Sequence, residues 1–194
     1  MSDNDSRDFS RRALLQSAAF VPIAALVASA QAPPSTLNGA QMKTLEAFLD
    51  RLIPTDELGP GAVESGAQIY IDRALAGPNA AEKESFVRGL EAVDNLARRV
   101  HGAPLVELSA EKRDELLTEL AAGNLPESQF FNRARRLTLE GMFGDPYYGG
   151  NKHFAGWDLI RYPGPRPAVA PEDQKMNIAI KPYRISAWGN RYGH

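Results

Sequence analysis

The residues of this chain that could move a proton or hold a metal are few and scattered. His101, His153 and His194 are the only histidines in 194 residues. No two stand at the i, i+3 or i, i+4 spacing that puts two imidazoles on one helix face, so a metal site has no local template. Carboxylates are abundant, and a pair flanking a scissile bond could act as general acid and base. The adjacent pairs Asp56–Glu57 and Asp114–Glu115, however, suit a turn and a charged helix face. Glu140 and Asp145 bracket a glycine-rich opening and are the carboxylates best placed for a buried role. With His153 they are the residues a stand-alone exported enzyme would use. The plainer reading makes Glu140 a polar helix residue and Asp145, directly before Pro146, a turn initiator. Cysteine is absent, which removes thiolate nucleophiles, thiolate metal ligands, disulfides and covalent c-type haem attachment within the chain. Gly59-Pro60-Gly61 with Gly66 lacks the spacing, the preceding strand and the βαβ unit of a dinucleotide loop. There is no Walker lysine and no Gly-x-Ser-x-Gly elbow.

Recognition chemistry is concentrated instead. The stretch GMFGDPYYGGNKHFAGWDLIRYPG, Gly141 to Gly164, holds Phe143, Tyr147, Tyr148, Phe154, Trp157 and Tyr162 with six glycines and two prolines. Tyr, Trp and Arg are the types enriched in interface hot spots. Gly149 and Gly150 allow close backbone approach, and Asn151 offers both donor and acceptor. Phe143, Asp145, Tyr147, Tyr148, Gly149, Gly150, Asn151, Trp157 and Tyr162 therefore form the candidate partner interface. The same rings would also serve a carbohydrate-binding module, or fold back over the chain's own helices.

The charge is unevenly spread. The net charge of -2 does not point to nucleic acid as a partner. Residues 31–150 carry 12 Lys and Arg against 18 Asp and Glu, whereas residues 151–194 carry 7 against 3. An acidic body thus bears a basic, aromatic tail.

The elements that must position these residues read as helices. Asn38 is the N-cap of a first helix with Met42, Leu45, Phe48, Leu49 and Leu52 on one face, ended by Pro54. A second runs from about Gly61 to Ala76, with Val63, Ala67, Tyr70, Ile71, Ala74 and Leu75 as its stripe. A third spans about Ala80 to Val100, built on Phe86, Leu90, Val93, Leu96 and Val100. Ser109 caps a fourth to Ala122, with Glu111 in its first turn. Pro126 opens a fifth that reaches about Met142, with Phe130, Phe131, Ala134 and Leu137 inward and Arg133, Arg135 and Arg136 on a solvated face. No stretch alternates as a strand does. The expected fold is all-α: an irregular bundle of about five helices over residues 38–143, then an irregular aromatic, basic segment over 144–194 with one short helical turn near Gly156 to Arg161.

The first thirty residues are an address. Arg11 and Arg12 precede Leu14 and Leu15, and an apolar run from Ala18 to Ala30 ends in Ala28-Ser29-Ala30, a small-x-small cleavage site. That run has 13 residues, short of the roughly 20 that span a bilayer. The pattern matches a twin-arginine signal peptide over residues 1–30, with a linker over 31–37.

Taken together, the SRRALLQ leader, the stretch LEAFLDRLIPTDELGPGAVESGAQIYIDRAL and the string TLEGMFGDPYYGGNKHFAGWDLIRYPGP resemble the gluconate 2-dehydrogenase subunit 3 family, over roughly Gln41 to Pro165. The resemblance implies a non-catalytic small subunit with no cofactor of its own. Its implied partners are a large FAD-dependent dehydrogenase subunit that oxidises the sugar or alcohol, a multihaem c-type cytochrome carrying haem c that accepts the electrons, and the twin-arginine translocase. The implied location is the periplasm, peripheral to the inner membrane through the complex. The family supplies no catalytic residue to carry over. Only Arg11, Arg12 and the glycine-aromatic segment transfer, as positions.

Overall fold

The structure is a computed structural model, described for residues 35–166, 168, 171–175 and 181–188. The expected export signal with Arg11, Arg12, Leu14 and Leu15, the expected cleavage after Ala30, and His194 lie outside the described residues. Among the described residues there are six α-helices and no strand. They are α1 (Gly39–Leu52), α2 (Ala67–Ala76), α3 (Lys83–His101), α4 (Ala110–Ala121), α5 (Ser128–Phe143) and the one-turn α6 (Ala155–Leu159). The all-α expectation holds, with five principal helices followed by α6 in the aromatic segment.

Local chemistry sets most boundaries. Asn38 caps α1 in a full capping box: its side chain accepts from the Gln41 N–H, and the Gln41 side chain accepts from the Asn38 N–H. The second helix starts later than its apolar pattern suggests. Residues after Gly61 form successive turns, and Gly66 sits at φ 79° in the left-handed region, so helical winding begins only at Ala67. A 3-10 turn over Ala80–Glu82 takes the expected first turn of the third helix, and α3 begins at Lys83. Val100 lies beyond the packed stripe of α3 and is exposed. Ser109 occupies the N-cap of α4 with extended backbone but makes no capping bond to a backbone N–H. The Glu111 carboxyl is held below its ordinary range by its own backbone N–H and by the Ser109 hydroxyl. Pro126 belongs to the turn ahead of α5, where the Ser128 N–H donates to the Leu125 carbonyl at 3.0 Å.

The helices close on one apolar core. Phe48 of α1 meets Phe130 and Phe131 of α5 edge-on at centroid distances of 5.5 and 5.9 Å, and Phe86 of α3 meets Phe130 at 5.1 Å. Leu45, Leu49, Ile71, Leu75, Leu90, Leu116 and Leu120 fill the space around them. Each such side chain stabilises the fold by roughly 1.5–3 kcal/mol relative to exposure. The broadest packing is of α2 on α5, which fixes the end of α5 from which the aromatic segment departs.

Two polar links hold the frame. Arg51 of α1 grips Asp114 of α4 with two bonds of 2.7 and 2.8 Å. The expected solvated arginine face of α5 is partly engaged: Arg133 and Arg136 both reach Glu82, at 3.3 and 3.4 Å, while Arg135 stays exposed. Glu82 ends the 3-10 turn ahead of α3, so these arginines tie α5 to α3.

Candidate partner interface

The aromatic segment is built on the end of α5, and Asn151 organises it. Asn151 is fully buried. Its Nδ2 donates to the Gly144 carbonyl at 2.8 Å, and its Oδ1 accepts from the N–H groups of Gly156 and Trp157 at 2.9 and 3.4 Å. One side chain therefore fastens the exit of α5 to the start of α6. Gly150 and Gly156 make this contact possible. A Cβ at Gly150 would strike the Gly141 carbonyl, and one at Gly156 the Met142 carbonyl. The loop backbone thus lies directly on the backbone of α5.

Trp157 completes the inner layer. It is buried, its Nε1 donates to the Phe143 carbonyl at 2.9 Å, and its ring lies 5.3 Å from Phe154 and 4.9 Å from Tyr162. Behind the loop, the Lys152 N–H donates to the Ser65 carbonyl at 2.9 Å. Asn151, His153, Phe154 and Arg161 all have positive φ, between 48° and 62°. Each such non-glycine residue costs on the order of 1–2 kcal/mol. The conformation persists because the Asn151 bonds and the Trp157 packing determine it from several sides.

Both carboxylates singled out above are engaged. Asp145 accepts from the Tyr147 N–H at 2.9 Å and the Ala187 N–H at 2.6 Å, which confirms it as a turn initiator and adds a tie to the C-terminal tail. Glu140 accepts from the Tyr70 hydroxyl at 3.0 Å and from Arg136 at 2.8 Å. Burial, then the bond to Glu140, pushes the Tyr70 phenol up to about 12. His153 is exposed, and its carbonyl accepts from Arg184. His101 is the last residue of α3. Among the described residues no group of three or more His, Cys, Asp or Glu could hold a metal ion. No described helix is long and apolar enough to cross a membrane.

The candidate interface residues divide into two layers. Gly150, Asn151 and Trp157 lie inside and hold the loop to its own helices. Phe143, Asp145 and Gly149 are half-buried, and Arg73 packs against Gly149. Tyr147, Tyr148 and Tyr162 form the outer layer at 46%, 47% and 41% exposure. A further ring joins them. Residues 181–188 run back over the loop: the Tyr183 N–H donates to the Pro163 carbonyl at 2.7 Å, and Arg184 pairs with Asp158 at 2.6 Å. This return places Trp188, 62% exposed, 5.6 Å from Tyr147. Tyr147 in turn lies 5.3 Å from Tyr148. Beside the three rings a hollow of about 350 Å³ is lined by Tyr70, Arg73, Ala74, Pro78 and the two tyrosines. Trp188 and Arg73 were not among the expected interface residues, since both are brought there by long-range packing that no local pattern announces.

Exposed Tyr147, Tyr148 and Trp188 stand together over a loop fastened to α5, with a hollow beside them. This surface is suited to holding another molecule. The family model for gluconate 2-dehydrogenase subunit 3 matches residues 39–164. No curated protein and no solved structure matches the chain. The family match begins at the first residue of α1, takes in all five principal helices and ends with the fastened aromatic loop, well over half of the sequence: the chain belongs to the gluconate 2-dehydrogenase subunit 3 family.

Proposed function

We propose that this chain is the non-catalytic accessory subunit of an FAD-dependent sugar or alcohol dehydrogenase complex, and that it escorts the folded flavoprotein through twin-arginine export and stabilises it in the periplasm. The large subunit binds FAD and carries out the oxidation, and a multihaem c-type cytochrome takes the electrons. Arg11 and Arg12 present the complex to the twin-arginine translocase. Family membership supports the association with a dehydrogenase.

The observation that carries the docking role is the pairing of exposed Tyr147, Tyr148 and Trp188 with a loop their own chain already holds fixed. Rings mounted in this way lose little further conformational freedom on binding, so more of their contact area appears as affinity. The engagement of Glu140 and Asp145 in structural hydrogen bonds favours docking over an acid–base role for either. The test is co-expression of the chain with a flavoprotein dehydrogenase encoded beside it. The account expects the two to purify as one flavin-absorbing complex, with no sugar oxidation by the small chain alone. Oxidation by the isolated, cofactor-free chain would overturn it.

A further inference from the structure

We propose that the hollow between α2 and the tyrosine pair seats an acidic side chain of the flavoprotein partner, with its carboxylate on the Arg73 guanidinium and an apolar neighbour against the rings. The proposal rests on the accessory-subunit reading and names the chemistry that the partner must present.

Two elements build the hollow. Helix α2 gives Tyr70, Arg73 and Ala74, with Pro78 just past its end, and the loop gives Tyr147 and Tyr148. Arg73 is exposed, yet the loop sets its course. A Cβ at Gly149 would come 2.6 Å from Arg73 Nη1 and 2.9 Å from its Cδ and Cζ. Gly149 also stands at φ 102°, a conformation that glycine adopts without strain. The Arg73 side chain thus lies along bare loop backbone, in the segment that Asn151 fastens to α5. A guanidinium placed in this way has less freedom to lose when it binds. The volume, about 350 Å³, suits an acidic side chain with one apolar neighbour.

Charge selects the guest. Among the described residues, Arg73 is the one member of the lining that is charged at neutral pH, and no acidic side chain lines the hollow. Arg51, Arg133 and Arg136 each meet a carboxylate, whereas Arg73 has none among the described residues. The carboxylates tied to the lining by sequence or by hydrogen bond are committed. Glu140 accepts from the Tyr70 hydroxyl and from Arg136. Asp72 accepts from the Leu37 N–H at 2.7 Å and the Ser35 hydroxyl at 3.1 Å. Asp145 accepts from the N–H groups of Tyr147 and Ala187. A carboxylate from outside would take the planar guanidinium fork with two parallel bonds. The Tyr147 and Tyr148 hydroxyls, without a hydrogen-bond partner among the described residues, can add donors. The rest of the wall, Ala74, Pro78 and the tyrosine rings, is apolar. It favours an acid that stands beside a hydrocarbon side chain over a sugar, whose hydroxyls would lose water there without replacement.

The experiment uses the full chain and the co-expressed flavoprotein. Arg73→Lys keeps the charge and places an amine at the hollow. In the complex, a water-soluble carbodiimide is expected to join that amine to an Asp or Glu side chain of the flavoprotein, identified by peptide mass spectrometry and adjoining an apolar residue, with no such link from the wild type. Arg73→Glu is expected to weaken binding in biolayer interferometry at least about tenfold, the loss typical of like charges brought together at an interface. Its thermal melt is expected to match the wild type, since Arg73 is exposed. Wild-type affinity in Arg73→Glu, or no carboxylate link in the Arg73→Lys complex, overturns the proposal. If Tyr147→Ala with Tyr148→Ala still binds poorly, the accessory reading then stands without it. A wild-type chain that captures no flavoprotein defeats both. Arg73-dependent binding of free gluconate by the chain alone would give the hollow to a small anion and overturn the partner assignment.

Discussion

Replacing Asn151 by alanine should release the aromatic loop while leaving the helical core intact. The change deletes one donor and one acceptor. The Gly156 N–H, which is buried, and the Gly144 carbonyl, which is half-buried, both lose their side-chain partner. A buried polar group left without a partner costs about 1–3 kcal/mol, and the half-buried carbonyl lies at the low end. Alanine also tolerates φ 48° less well than asparagine, adding up to about 1 kcal/mol. The total is about 3 kcal/mol, or a melting temperature lower by roughly 10 °C for a unit of this size. Scanning calorimetry reads the loss, and near-ultraviolet circular dichroism reads Trp157, whose environment Asn151 sets. Asn151→Gly loses the same bonds without the conformational penalty and should fall between alanine and wild type. An alanine variant that melts within about 2 °C of wild type, with an unchanged aromatic spectrum, would refute the claim that this residue organises the loop.

Three other outcomes follow from the same physics. Tyr70 has a folded pKa raised to about 12, so its contribution to stability is complete below pH 10 and is lost as pH rises through 12. It amounts to about 1 kcal/mol after allowance for solvent screening, and Tyr70→Phe should remove both that alkaline loss and one late tyrosinate step in the ultraviolet absorbance. Asp114 is depressed first by the bond from Arg51. Its contribution is therefore present above the ordinary value of 3.8 and lost as pH falls below it, and Asp114→Asn should flatten the acid limb of a denaturation series by less than about 1 kcal/mol. Replacing Arg11 and Arg12 by lysine should strand both the chain and its flavoprotein in the cytoplasm, as cell fractionation would show; normal export of the flavoprotein would argue against a shared signal.

The helices were legible because burial imposes a period on the sequence. Phe48, Phe86, Leu90, Phe130 and Leu137 all lie at spacings of three and four from other buried residues of their helices, and all are buried. Starts were less legible. Gly66 and Pro126 shift α2 and α5 by turn geometry that an apolar pattern does not encode. In the aromatic segment, composition identified the loop but not which ring faces which way. Trp157 turns inward because its indole N–H finds the Phe143 carbonyl, and Tyr147 outward because its backbone is held by Asp145. The contribution of Trp188 depends on Arg184 meeting Asp158 across 26 residues, a separation at which local sequence carries no signal.

The most direct test is hydroxyl-radical footprinting of Tyr147, Tyr148 and Trp188 in the free chain and in its complex with the flavoprotein. The account predicts that all three react readily in the free chain and are strongly protected in the complex, while Trp157 reacts weakly in both. Equal reactivity of the three rings in the two states would contradict it.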